Sequence, residues 1–176
     1  RCSCGACEAE AVYSWERKNV PGFPAATLSL RECRALVRRV YKTWNIPYAL
    51  PTITRHALLR DDCCIVGFGA SNHIWLTRRG MKEPIVLHEL AHVLLENHGE
   101  CYGHPPAFVR LFIELLAEFN GLGNRDEQRT ALEISAFAAR LRVADILDLF
   151  PARSGDACGT QRRTQTLPVL SKGEQI

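Results

Sequence analysis

The sequence lacks any apolar stretch near the ~20 residues that a membrane-spanning helix requires, so we expect no membrane partner. A net charge of only +3 does not by itself indicate nucleic-acid binding. The eight cysteines do not have the spacing of a disulfide framework, which favours a reducing, cytoplasmic location. With 47% hydrophobic and 23% charged residues, the 176-residue chain is typical of a globular domain that buries its own core.

The most informative pattern that is present is His-Glu-Leu-Ala-His at residues 88–92, which has the form H-E-x-x-H. In a helix, His88 and His92 lie on one face, so both imidazoles can bind one metal ion. Glu89 would lie beside the metal, where it can take a proton from a zinc-activated water. Apolar residues on both sides predict a buried helix over about 84–97. The motif therefore predicts a zinc site with Glu89 as general base.

A catalytic zinc usually has three protein ligands, and the third is open from the pattern alone. The candidates are two histidines and two glutamates: His98, His104, Glu114 and Glu133. His98 has the spacing of H-E-x-x-H-x-x-G-x-x-H, but Leu95 replaces its glycine and the single methionine lies upstream, so no Met-turn can follow. The two glutamates lie in predicted helices, where carboxylates are usually solvated. We favour His104, because a predicted apolar helix follows it and would anchor its loop.

Turn signals and periodicity predict an α+β domain over residues 28–150. Ser29 and Glu32 form a capping box that predicts a helix over 29–43. Three short runs predict a small three-stranded sheet: Thr52–Arg55, Cys63–Gly69 and His73–Thr77. After the H-E-x-x-H helix, two C-terminal helices are predicted, one from Pro105-Pro106 to about Phe119 and one from Asn124 to about Leu149. Residues 1–27 are predicted to form an irregular, cysteine-containing arm, and 151–176 a polar, disordered tail.

Two weaker patterns concern a second metal and a nucleic acid. The cluster of Cys2, Cys4 and Cys7 could hold a second, structural zinc with Cys33 or Cys101, and otherwise consists of free thiols. Basic residues lie on one face of the predicted helix 29–43: Arg31, Arg34, Arg38 and Lys42. That face could contact nucleic-acid phosphates weakly, although a solvated basic face is the commoner explanation.

The segment from about Ile74 to Leu116 resembles a known family of proteins. The string His-Pro-Pro-Ala-Phe-Val at residues 104–109 resembles the H-G-x-x-F element that supplies the third histidine in SprT-like zinc metalloproteases, with Pro105 in place of its glycine. The segment is closer still to a family of small HEXXH metallohydrolases of bacteria and phages. The resemblance implies a minimal zincin-like fold, one catalytic zinc on His88, His92 and His104, and a peptide or protein substrate.

Other interpretations of the same residues remain open. One is a non-catalytic, zinc-stabilised protein that binds a partner through the basic helix or the N-terminal cysteines. Another is a repressor-cleaving peptidase, because the segment around Glu133 resembles the ligand helix of ImmA-like peptidases. For the enzyme, a second oxyanion donor would be Tyr102 or Arg110, the nearest donors by sequence. The strand Ile74–Thr77 could form a sheet edge that takes up an extended peptide, or an internal strand.

Overall fold

The computed structural model describes residues 5–20, 27–56, 67–70, 72–97, 103–120 and 123–143. Within these ranges the order of elements is α1 (Gly5–Asn19), α2 (Leu30–Thr43), β1 (Thr52–Arg55), β2 (Gly67–Ala70), β3 (His73–Leu76), α3 (Glu83–Asn97), α4 (Pro106–Phe119) and α5 (Arg125–Ala138). The α+β class predicted from the sequence is confirmed.

The first helix occupies a stretch for which the sequence analysis predicted an irregular arm, and that prediction is wrong over Gly5–Asn19. Alanine and glutamate, which favour helices, are frequent there. Val12 and Trp15 lie three residues apart and are both buried. The Trp15 ring packs edge-on against Phe112, and its Nε1–H donates a 2.9 Å hydrogen bond to Ser135 Oγ. The helix therefore belongs to the main core.

The second helix begins and ends with local signals. The Ser29 hydroxyl accepts a hydrogen bond from the Glu32 N–H at 3.2 Å, and the Glu32 carboxylate accepts one from the Ser29 N–H at 2.6 Å, which confirms the predicted capping box. At the other end Asn45 has a φ of 50°, and the Ile46 N–H bonds to the Tyr41 carbonyl in a Schellman arrangement. Its buried face is the apolar face of the sequence: Cys33, Leu36, Val37, Val40 and Tyr41.

The sheet has the order β1-β3-β2, so β3 is its central strand. Ile74 on β3 pairs in parallel with Ile53 on β1 and antiparallel with Gly69 on β2. The suggestion that the strand 74–77 forms a sheet edge is therefore wrong, because both its sides carry a strand. The predicted strand 63–69 overlaps β2, and its residues 63–66 lie outside the described part of the chain.

The C-terminal helices follow the sheet and α3. Pro105 caps α4 and Pro106 is its first residue, where a missing N–H costs little. The fifth helix ends at Ala138, so the prediction that it reaches Leu149 is wrong. Arg140 has a φ of 61°, and the Leu141 N–H returns to the carbonyl of Ala136, again a Schellman ending. The predicted tail 151–176 lies outside the described residues.

Candidate metal centre

Three histidine side chains meet at one point of the core. His88 and His92 lie one turn apart on α3, and His104 lies in the loop before α4. The Nε2 atom of His88 is 3.2 Å from that of His92 and 3.1 Å from that of His104. Nitrogen atoms bound to a tetrahedral zinc at about 2.0–2.1 Å lie about 3.3 Å apart. This group of three histidines could therefore hold a metal ion.

The electrostatics of two of the histidines suit ligation. Burial, with the charges of His88 and His104, lowers the pKa of His92 to about 2. Burial and the charge of His88 lower the pKa of His104 to about 3. Both imidazoles are therefore neutral at physiological pH and keep the lone pair that a metal ligand needs. The Nδ1 atom of His104 is buried and has no hydrogen-bond partner among the described residues.

His88, the remaining histidine of the group, is oriented by a carboxylate from α1. His88 Nδ1 and Glu16 Oε1 are hydrogen-bonded, and the two side chains are 6% and 5% exposed. Because a carboxylate accepts, Nδ1 donates, and Nε2 is the atom turned toward the other histidines. Burial acts to lower the pKa of His88, but Glu16 and then Glu89 raise it above its ordinary value. The raised pKa favours a proton on Nε2 of His88. A bound metal would have to displace that proton.

Glu89 lies within α3 and faces the small sheet. Its carboxylate accepts a hydrogen bond from the Gly69 backbone amide on β2. Burial raises the pKa of Glu89 to about 7; Glu16 adds to this effect, whereas His88 and the Gly69 amide oppose it. A carboxyl group whose pKa is near 7 can both take and return a proton at neutral pH. This is the behaviour required of a general base that later acts as an acid.

A tyrosine from α1 contacts two of the three histidines. The Tyr13 ring stacks on His88 with ring centroids 5.7 Å apart and planes at 21°, and it meets His104 edge-on at 5.0 Å. Burial, followed by the charges of Glu89, Glu16 and Glu10, raises the pKa of the Tyr13 phenol. The phenol is therefore protonated at neutral pH and can donate a hydrogen bond.

Of the other candidates for the third ligand, the two that the structure describes do not join the histidine cluster. Glu114 forms ion pairs on α4 and α5, at 3.2 Å with Arg110 and at 3.7 Å with Arg125. Glu133 pairs with Arg110. Arg110, proposed from the sequence as an oxyanion donor, is thus held by these two carboxylates. His98 and Tyr102, the remaining candidates, lie outside the described residues.

Most ligands of the predicted second metal site lie outside the described part of the chain. Cys2, Cys4 and Cys101 lie outside it, as does the side chain of Cys7. Cys33 is a buried free thiol in α2, and burial raises its pKa to about 11. That environment favours the neutral thiol and an apolar packing role.

The basic face of α2 is partly engaged in local contacts. Arg34 donates from Nε and Nη2 to the carbonyl of Ile53 on β1, at 3.3 and 2.9 Å. Arg31, Arg38 and Lys42 are exposed. The described helices include none that is long and apolar enough to cross a membrane.

Two residues of the site, Glu16 and Tyr13, were missed by the sequence analysis. Both lie on α1, which was predicted to be irregular. A signal was available, because Val12, Trp15, Glu16 and Val20 have helical spacings of three and four and all four are buried. Glu16 interrupts the apolar pattern, since a buried carboxylate is rare unless it has a partner.

Comparisons of the chain with known protein families, with curated proteins and with solved structures found no match.

Proposed function

We propose that the protein is a zinc-dependent metallohydrolase, and specifically a metallopeptidase with a minimal zincin-like fold. The observation that supports this most is the convergence of three Nε2 atoms beside the buried carboxylate of Glu89. The resemblance of residues 74–116 to SprT-like metalloproteases and small HEXXH metallohydrolases points the same way. Three imidazole ligands suit zinc, and leave a fourth tetrahedral position for a water or substrate.

In this proposal His88, His92 and His104 hold the zinc, and Glu16 fixes the ring of His88. The ion would supply a water of lowered pKa and would polarise the scissile carbonyl. Glu89 removes one proton from the attacking water as the water oxygen bonds to the carbonyl carbon. When the C–N bond breaks, Glu89 returns that proton to the leaving nitrogen. The Gly69 amide keeps the carboxylate in place during both transfers.

The decisive test is Glu89→Gln, which keeps the shape of the side chain and removes its basicity. We expect the variant to bind zinc as the parent does and to lose at least about 100-fold in kcat, since positioned general bases contribute roughly 10²–10⁴-fold. The assay uses zinc-loaded protein and a pool of internally quenched fluorogenic peptides, with products identified by mass spectrometry. Glu83→Gln makes the same change at the start of α3, where Glu83 pairs with Arg39 at 3.3 Å, and serves as control.

A second candidate is a non-catalytic protein in which zinc only stabilises the fold. The burial of His88 and His104, which are 5% and 7% exposed when the whole residue is counted, favours it. On this alternative neither the parent nor Glu83→Gln cleaves any peptide, and Glu89→Gln behaves as the parent in every respect. Peptide cleavage that persists in Glu89→Gln would contradict the proposed mechanism.

A further inference from the structure

We propose that Tyr13 is a catalytic residue, whose phenol donates a hydrogen bond to the oxyanion that forms during hydrolysis. This inference rests on the proposed function. It adds a residue from α1, a helix that lies far in sequence from the H-E-x-x-H motif. The same helix already brings Glu16 to the site.

The position of Tyr13 carries the inference. Its ring contacts two of the three histidines, lying face to face with His88 and edge to face with His104. It is 40% exposed, whereas its helix neighbours Val12 and Glu16 are buried. The side chain therefore lies at the boundary between the histidine cluster and solvent. A substrate that reaches the cluster from solvent on this side passes the phenol.

The support beneath Tyr13 makes it a preorganised donor. On the same helix Trp15 is buried against Phe112 and hydrogen-bonded to Ser135. Glu16 joins α1 to His88 on α3. The helix is thus fixed both to the core and to the cluster itself. A donor held in this way stabilises a developing charge without first having to reorganise, which is the condition for a large catalytic effect.

The hydrolysis needs no reactant other than the peptide and water. Water adds to the scissile carbonyl carbon, the carbonyl π electrons move to oxygen, and that oxygen becomes negative. Tyr13 donates its O–H to this oxygen as a hydrogen bond and keeps its proton. The oxygen lone pair then re-forms the C=O bond as the C–N bond breaks, and Glu89 delivers the water-derived proton to nitrogen. Of the two donors considered from the sequence, Arg110 is paired with Glu114 and Glu133, and Tyr102 lies outside the described residues.

The test compares Tyr13→Phe with Tyr41→Phe in the full chain loaded with zinc. Tyr13→Phe keeps the ring stack and deletes only the hydroxyl. Tyr41→Phe makes the same change in α2, where the buried hydroxyl has no hydrogen-bond partner among the described residues. With the fluorogenic peptide pool, we expect kcat of Tyr13→Phe to fall roughly 100-fold with little change in KM, as for loss of one oxyanion donor. Tyr41→Phe should match the parent.

A binding measurement provides a readout that does not require turnover. Acetohydroxamate binds zinc through two oxygen atoms, and one of them can accept the Tyr13 hydrogen bond. By calorimetry we expect its Kd to rise about 10-fold in Tyr13→Phe, with zinc content unchanged. Equal kcat and equal hydroxamate Kd in Tyr13→Phe and the parent would overturn the role of Tyr13 alone. Zinc-loaded parent that cleaves no peptide would overturn the proposed function, and the role of Tyr13 with it.

Discussion

At the scale of single residues, two buried glutamates near the histidines have different surroundings, and we propose different roles for them. Glu89 is hydrogen-bonded to a backbone amide, and burial raises its pKa to about 7, which suits proton transfer. Glu16 instead is bonded to the ring nitrogen of His88 on the side away from the other histidines. A carboxylate in that position selects the ring tautomer and raises the basicity of the ligand nitrogen. Glu16 is therefore expected to control metal affinity and not the chemical step directly.

Replacing Glu16 with glutamine should weaken zinc binding by about 10-fold or more, because partners of metal-bound histidines typically contribute 10–100-fold. The measurement is competition for zinc against a chromophoric chelator. Glu10→Gln is the matched control on the same helix, where exposed Glu10 pairs with Arg17 at 3.3 Å. Equal zinc affinity in Glu16→Gln and Glu10→Gln would show that the hydrogen bond to His88 plays no part in ligation.

At the scale of elements, the site depends on the close approach of β2 to α3. A Cβ atom added to Gly69 would overlap the backbone carbonyl of Glu89, and backbone atoms cannot swing aside as a side chain can. The same glycine donates its amide hydrogen to the Glu89 carboxylate. Gly69 thus sets both the spacing between sheet and helix and the position of the proposed base.

Gly69→Ala is expected to lower the free energy of unfolding by about 1–3 kcal/mol, the usual cost of overpacking a tight core. The displaced strand should also weaken peptide cleavage, since Glu89 loses its amide partner. Urea denaturation measures the first effect and the fluorogenic peptide assay the second. A variant as stable and as active as the parent would contradict the close packing of β2 on α3.

The elements differ in how far the sequence alone predicted them. The second helix was predicted almost to the residue, because the capping box of Ser29 and Glu32 is a local signal and its apolar face is regular. The first helix was missed, since its buried stripe contains a glutamate whose partner, His88, lies 72 positions away. No local pattern contains such a partner. The central position of β3 is likewise set by strand pairing, which short apolar runs do not specify.

The residues of the site also differ in how far the sequence alone predicted them. His88, Glu89 and His92 form one helical motif, so their proximity was predictable from spacing. His104 was chosen among four candidates with the help of a family resemblance, and its meeting with His88 depends on a loop that the motif does not contain. Tyr13 and Glu16 come from a third segment, and only the packing of α1 brings them to the cluster.

At the scale of the whole molecule, the proposed zinc would join segments that are distant in sequence. His88 and His92 belong to α3, His104 precedes α4, and Glu16 ties α1 to the same point. An ion bound to the folded chain and not to the unfolded one stabilises the fold by mass action. The site should therefore be coupled to global stability as well as to chemistry.

We expect zinc at about 100 times its Kd to raise the free energy of unfolding by about 2.7 kcal/mol. Thermal unfolding, followed by circular dichroism with zinc and with a chelator, measures the difference as a higher Tm in zinc. In His92→Ala, which lacks one proposed ligand, the two curves should nearly coincide. A parent whose Tm is the same with zinc and with chelator would contradict the coupling.

The three-histidine site is tested by comparing the zinc content of the parent with that of His104→Ala. Both proteins are dialysed against a mild chelator and measured by atomic emission, with His73→Ala as control because His73 lies on β3, bonded to Thr54. We predict one zinc per chain at this site in the parent and in His73→Ala, and clearly less in His104→Ala. One additional zinc per chain, present equally in all three proteins, would belong to the N-terminal cysteine site. Undiminished zinc in His104→Ala would exclude His104 from the ligand set and so contradict the three-histidine site.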